Sequence, residues 1–415
     1  MIVKARFVIP VDRPVIDNGA VAFEDGRIIA VGQAGEMPDS PPFVDYGDAV
    51  ICPGFVNAHT HLELSAFAGQ LPPSPDFTHW LTRVIEAAAS ALAKQIDTQE
   101  VVRDGVRQSL SEGVTMVGDI ARDPHWTREV LADSPLRGVS FGEVIAIGTR
   151  RGLLAERLEA AASTEWQSER LRVGISPHAP FSVEPDAMRA CVSEADKTGA
   201  PLSIHLAETR EEELFTRNRT GPFADFLRNL GVWDVSIPAS KCGPVELARR
   251  AGLLTERTVI AHANYVDDED IRQIADSGAS VAYCPRTHHA FGHEPHRFRD
   301  MLAAGINVCI GTDSLASNPS LSILDELRFL HRQFPDVPAA KLMAMGTLYG
   351  ARALGFEDEA GSLTVGKQAD IVILPLEGVQ PADGWVSILR SSQVTSAAYV
   401  AGSLQTQGHS TSGGV

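Results

Sequence analysis

Pro53-Gly54-Phe55-Val56-Asn57-Ala58-His59-Thr60-His61-Leu62 is a short apolar run, opened by a Pro-Gly break, that ends in two histidines two residues apart. On a strand, side chains at i and i+2 leave the same face, so both imidazoles can reach one ion. A His-Thr-His on a surface loop would read the same way, and the remainder of the chain decides between the two. Strand-like runs of this kind recur at residues 113–119, 139–143, 172–176, 201–205, 258–262, 280–284 and 307–313, which makes eight. Helical patterns lie between several of them, over 184–198, 267–277 and 321–334, the second opened by Asp267 at an N-cap position. Strand and helix in alternation imply a parallel sheet, and eight repeats predict an α/β fold, a closed (β/α)8 TIM-like barrel with its chemistry at the carboxyl ends of the strands.

The two chain ends have another texture. Residues 2–9, 19–23 and 27–32 read as short strands, with Asp25-Gly26 as a hairpin turn. Residues 361–366, 369–374 and 396–400 read likewise. The ends are expected to pair as a small discontinuous β-sandwich. The predicted division is then 1–52 for the first part of the sandwich, 53–355 for the barrel and 356–415 for the second part. Residues 403–415, rich in Gly, Ser, Thr and Gln, are expected to form a loose tail.

Composition narrows the partners. The 415 residues are 44% hydrophobic and 21% charged, with a formal net charge of −17 that opposes binding to nucleic acid or to an anionic membrane. A small-molecule substrate is the expected partner, with a homodimer as the assembly to test. Five scattered cysteines without a Cys-x-x-Cys indicate neither a disulfide framework nor a thiolate zinc site. Residues 1–11 enter a strand-like alternation without a signal segment, and no window reaches the apolar length of a membrane span, so a cytoplasmic location is expected.

A purely structural barrel needs no polar groups where its strands end. Here the strand ends carry His59 and His61, Asp119, Glu143, His178, His205, His262 and Asp313, nearly all of them ligands or proton carriers. In His205-Leu206-Ala207-Glu208 an imidazole is followed three residues later by a carboxylate as the chain leaves the strand. That spacing lets Glu208 reach a water on the same ion without being a ligand, the position of a general base. Asp313, in Gly311-Thr312-Asp313-Ser314, offers a hard anionic oxygen. Three neutral imidazoles and one carboxylate suit zinc or ferrous iron.

These segments, with Ile260-Ala261-His262 and residues 361–372, resemble the amidohydrolase superfamily over almost the whole chain, in the branch of the triazine hydrolases and the adenosine-type, guanine and cytosine deaminases. The resemblance implies His59, His61, His205 and Asp313 as metal ligands, Glu208 as proton shuttle and His262 as holder of the attacking water, with Asp313 also catalytic. Binuclear members carry a bridging carboxylate, often a carbamylated lysine, at the end of strand four. Here Ser176-Pro177-His178-Ala179-Pro180 has no lysine, so one divalent metal ion is expected, zinc first and iron second, with His178 as a substrate contact. Further candidate substrate contacts are Glu63 and Trp80 after strand one and Arg286 and His289 after strand seven. Four histidines within 288–296 are read as pocket residues or as a second metal site. The implied activity is hydrolytic deamination of a purine, a pyrimidine or a modified nucleoside such as an adenosine-like compound or aminodeoxyfutalosine. The alternatives are dechlorination or dealkylamination of triazine-like compounds, amide or cyclic ureide hydrolysis and, remotely, a metal-free scaffold.

Overall fold

The computed structural model describes residues 1–38, 42–376 and 384–407. Its first strands are β1 (Ile2–Val8), β2 (Ile16–Glu24), β3 (Arg27–Gln33), β4 (Phe43–Asp45) and β5 (Ala49–Pro53). Next come β6 (Phe55–Thr60), β7 (Val114–Ala121), β8 (Arg137–Val144), β9 (Leu171–Pro177), β10 (Leu202–Leu206), β11 (Thr258–His262), β12 (Ser280–Tyr283) and β13 (Val308–Ile310). The chain closes with β14 (Ile371–Pro375), β15 (Ala397–Val400) and β16 (Ser403–Gln407).

Strands β6 to β13 form one eight-stranded sheet in sequence order. Pairing is parallel from β8 through β13. The first and last strands meet in a parallel bridge between Thr60 and Asp313. There the Thr60 hydroxyl donates to the Asp313 carbonyl at 2.9 Å, and the amides of Thr312 and Asp313 both donate to the His59 carbonyl at 3.1 Å. The residues that bring the ends of the barrel together are thus neighbours of the candidate ligands. Every residue of β6, β7, β8, β10 and β11 is buried. Burial of both faces is why these parallel strands read as unbroken apolar runs rather than alternating ones.

The predicted helices are present as Pro185–Thr198, Asp268–Ser277 and Ile323–Gln333. Asp267 caps the second: its carboxylate accepts the Asp270 amide, and the Asp270 side chain accepts the Asp267 amide in return. Close packing between neighbouring barrel strands leaves no room at Gly138 in β8, where a Cβ would lie 1.9 Å from the Val117 carbonyl oxygen of β7. Gly138→Ala is therefore expected to push β8 off β7, at a cost of about 3 kcal/mol or more. The measurement is the urea midpoint; a wild-type midpoint in the soluble variant would contradict the close contact.

By packing, the described chain divides into two units. One comprises Met1–Asn57, Val106–Met116 and the chain from Leu321 onward; the other comprises Ala58–Gly105 and Val117–Ser320. The helices Ile323–Gln333, Ala339–Met345 and Leu348–Ala353 thus group with the chain-end sheet. That sheet has eight strands in the order β16-β15-β14-β5-β1-β2-β3, with β4 beside β1. Both chain ends therefore contribute to it, over a core that includes Val3, Val21, Ile51, Ile371 and Tyr399. The β2–β3 hairpin turns at Asp25 (φ 48°) and Gly26 (φ 78°), as the Asp-Gly pair predicts.

Two local expectations fail. Residues 361–366 form no strand, because Gly361 (φ 81°) and Gly366 (φ 93°) are left-handed and the Lys367 amide closes a turn on the Thr364 carbonyl at 3.1 Å. Ser403–Gln407, expected in a loose tail, pairs antiparallel with β15. The tail beyond it lies outside the described residues. No helix among the described residues is long and apolar enough to cross a membrane.

Candidate metal centre

The candidate ligands all stand in the second unit, on strand ends or just past them. His59 ends its run in β6 with its side chain wholly buried, and His61 follows two residues later. His205 lies in β10, His262 ends β11 and Asp313 follows β13. The Nε2 atoms of His61 and His205 face each other at 3.2 Å. Asp313 Oδ1 lies 3.5 Å from His61 Nε2 and 3.8 Å from His59 Nε2. His59, His61 and His205 form one group whose ligand atoms all lie within 4.8 Å of one another, and His59, His262 and Asp313 form another. His59 is common to both groups, and Asp313 Oδ1 lies 3.5 Å from His61, so the predicted ligands cluster with His262 beside them.

The donor set fits a cation on its own evidence. Among the described residues neither ring nitrogen of His59 has a hydrogen-bond partner, a condition costly for a buried polar group unless something else binds there. Burial, together with the neighbouring imidazoles, holds His59, His61 and His262 well below the ordinary histidine pKa, and pushes His205 down to about 3. Neutral imidazole is the form that ligates a metal.

Neighbouring groups orient these ligands. His205 Nδ1 lies 3.1 Å from the His178 carbonyl, so a proton on Nδ1 donates there and Nε2 keeps its lone pair. The Ser317 hydroxyl donates to Asp313 Oδ2 at 2.7 Å, leaving Oδ1 toward the histidines. The amide of Leu62, next to His61, donates to Asp119 Oδ1 at 2.9 Å. Burial raises the Asp119 carboxyl to about 8. His262 (φ 71°) and Asp313 (φ 59°) both leave their strands in the left-handed region. Strain of this kind in non-glycine residues is concentrated at functional sites.

Beside the ligands, Glu208 Oε1 lies 3.5 Å from His262 Nε2. Burial, with Asp313 and Glu212 nearby, holds the Glu208 carboxyl well above the usual carboxylate range. Glu208 and His262 both line a cavity of about 220 Å³, as do His61, His205 and Asp313. Its floor is polar. Much of its wall is apolar, with Phe77, Trp80, Phe181, Phe226 and Leu227 among the lining residues.

The predicted substrate contacts divide. Glu63, Trp80 and His178 line the cavity. Glu63 Oε1 accepts from the Asp123 amide at 3.0 Å and the Thr127 hydroxyl at 2.6 Å. Trp80 donates its indole N–H to the Leu71 carbonyl at 3.1 Å and packs edge-on against Phe291, so it serves the wall and the core together. His178 Nδ1 lies 2.6 Å from the Ser182 hydroxyl, and its Nε2 lies 3.8 Å from Glu143 Oε1. Arg286 and His289 do not line this cavity. The helix Pro285–Ala290 sends Arg286 to the Ser320 hydroxyl and carbonyl, at 2.8 and 3.2 Å, and leaves His289 exposed. The other histidines of this segment also lie outside the cavity lining and outside both metal-capable groups among the described residues. His296 stacks on Tyr283 with ring centroids 3.9 Å apart, and its Nε2 lies 2.9 Å from the His262 carbonyl, so it buttresses the end of β11.

Phe226 and Leu227 line the cavity without any distinguishing signal in the sequence. They arrive on the helix Pro222–Asn229, the second after β10, where an apolar helical stripe in sequence is indistinguishable from ordinary core. Ser317 carried one signal, its place four residues after Asp313.

A sequence profile of the amidohydrolase family matches residues 50–402. A 5-methylthioadenosine/S-adenosylhomocysteine deaminase of Moorella thermoacetica is 30% identical over 394 residues, covering 91% of this chain and 86% of that protein. An aminodeoxyfutalosine deaminase of Deinococcus radiodurans is 29% identical over 351 residues, 81% of each chain. Among solved structures, an adenosine deaminase from Xanthomonas campestris with bound zinc superposes with a TM-score of 0.81 at 25% identity, covering 98% of this chain and 92% of that one.

Proposed function

The chain belongs to the amidohydrolase family, and from that premise we propose that it is a metal-dependent aminohydrolase of adenosine-type nucleosides, releasing ammonia from the amino-bearing carbon of the ring. The observation that carries this reading is the clustering of His59, His61, His205 and Asp313, the last three lining one cavity, with Glu208 and His262 3.5 Å apart beside them. Relatives named as deaminases of methylthioadenosine, S-adenosylhomocysteine and aminodeoxyfutalosine support the substrate class. His59, His61, His205 and Asp313 would hold one divalent ion, zinc in first place and ferrous iron in second. When bound, such an ion lowers the pKa of a water to about 7 and polarises the reacting centre.

The other steps belong to side chains. Glu208 takes the proton of the attacking water and passes it to the ring nitrogen beside the reacting carbon. Its raised pKa suits a group that must hold a proton at neutral pH and release it again. His262 and the Asp313 carboxylate orient the attacking oxygen and stabilise the tetrahedral carbon by hydrogen bonding. Glu208 then takes the remaining proton from the hydroxyl on the tetrahedral carbon and delivers it to the exocyclic nitrogen; the carbon–nitrogen bond breaks, ammonia leaves and the ring carbonyl forms. The apolar wall around Phe181 and Phe226 excludes water and stacks on the heterocycle.

The test is an ammonia-release screen over adenosine, methylthioadenosine, S-adenosylhomocysteine, 5′-deoxyadenosine and aminodeoxyfutalosine, with guanine, cytosine, a chlorotriazine and a cyclic ureide alongside. Ammonia from one or more adenosine-type compounds is the expected result. Chloride from the triazine, or ring opening of the ureide, with no ammonia from any nucleoside would assign the same centre to the alternative chemistry.

A further inference from the structure

The segment that carries Glu208 leaves β10 through Ala207, whose φ of 52° is left-handed. It enters the helix Arg210–Asn218 at Thr209, the N-cap, whose hydroxyl accepts the Glu212 amide at 3.3 Å. Glu212 is fully buried, at 0% exposure. Its Oε1 accepts the Ala207 N–H at 2.8 Å, and its Oε2 accepts the Glu208 N–H at 3.0 Å. On the other side of the same residue, Asn264 Nδ2 donates to the Glu208 carbonyl at 3.0 Å. A capping-box carboxylate reaches back to the amide of the N-cap itself. This one reaches past the N-cap to the two amides before it, which are the two residues that set the direction of the Glu208 side chain.

We propose that Glu212 is a positioning residue of the reaction: its two carboxylate oxygens clamp the backbone of residues 207 and 208 and so aim the Glu208 carboxyl beside His262. Two features make helix capping alone an insufficient account. The clamp spans the strand end rather than the first turn of the helix, and it holds a non-glycine residue in a backbone region that only an external constraint keeps populated. With N–H and C=O of Glu208 both pinned, the remaining freedom of that residue is in its side-chain torsions, as a preorganised proton carrier requires. Glutamine at 212 would keep one acceptor oxygen and turn an NH2 donor toward the second N–H, so one of the two bonds becomes a clash of donors. The inference rests on Glu208 as the proton carrier of the proposed function.

The experiment is a double-mutant cycle on the full-length, metal-loaded enzyme, reading kcat, KM, metal content and melting temperature for wild type, Glu212→Gln, Glu208→Gln and the double variant. Glu212→Gln is expected to lower kcat by about 10- to 100-fold with KM nearly unchanged and metal retained. In the Glu208→Gln background the same substitution is expected to change kcat by less than about twofold, because no proton carrier remains to be aimed. An equal drop in both backgrounds, or a fall in melting temperature with kcat untouched, would assign Glu212 to helix capping and overturn the proposal. Full activity of Glu208→Gln alone would overturn the proposed function instead, so the two failures are distinct. Should Glu212→Gln not fold, Glu212→Asp, which keeps the charge but shortens the reach by one methylene, carries the same cycle.

Discussion

Glu208→Gln is expected to lower kcat by at least ~100-fold and by up to ~10⁴-fold, the range associated with losing a general acid-base group. Metal content and melting temperature should stay at wild-type values. The separation follows from the geometry. Glu208 belongs to neither metal-capable group, so its removal leaves His59, His61, His205 and Asp313 in place. Its backbone bonds to Glu212 and Asn264 involve the main chain and survive the substitution. Glutamine has nearly the shape of glutamate but carries no exchangeable carboxyl proton. The loss should therefore appear in turnover more than in KM, since the binding walls lie elsewhere in the cavity. Ammonia release under saturating substrate, with elemental analysis of the same preparation, measures both. A metal-loaded variant that runs at full speed would remove Glu208 from the mechanism.

Exhaustive chelation is expected to abolish activity, with one zinc or ferrous ion per chain restoring it. Loss of several kcal/mol of charge stabilisation, about 4 at least, corresponds to roughly 10³-fold in rate. Stability should fall as well. Among the described residues His59 is buried with neither ring nitrogen hydrogen-bonded, and the Nε2 atoms of His61 and His205 face each other at 3.2 Å, so a cation held there would engage lone pairs the protein leaves to it. Binding to the folded state alone stabilises it by about 4 kcal/mol at a thousandfold excess over Kd, which calorimetry reads as a lower melting temperature after chelation. Activity that survives complete metal removal would defeat the assignment of the ligands.

Much of the centre was legible because its chemistry lies on the most regular part of the chain. A barrel strand is buried on both faces, so each appears as a short apolar run, and a polar residue at its end stands out against that background. His59, His205, His262 and Asp313 were readable for this reason. Glu208 was readable from its spacing to His205. The pocket was much less so. The segment after β12 holds Arg286, His288, His289, His293 and His296, a concentration of polar groups that in sequence looks like a binding loop. In the fold the helix Pro285–Ala290 turns Arg286 onto Ser320, and His296, past its end, stacks on Tyr283, outside the cavity lining. The wall comes partly from Phe226 and Leu227 instead.

The sequence by itself determined the eight-strand alternation, the family resemblance and the candidate metal-ligating side chains, since period and spacing along one strand are local properties of the chain. Tertiary structure alone decided which oxygen of Asp313 is left for a ligand, how Glu212 grips the Glu208 segment and which aromatic residues face the substrate cavity. The first two rest on pairs only four or five residues apart whose geometry appears only once the strand end is folded, and the framing contacts, such as Asn264 with Glu208 and His59 with Asp313, join residues distant in sequence whose partners no local pattern names. For the same reason, the loop after β12 could look like a binding site in sequence and yet be a buttress in the fold.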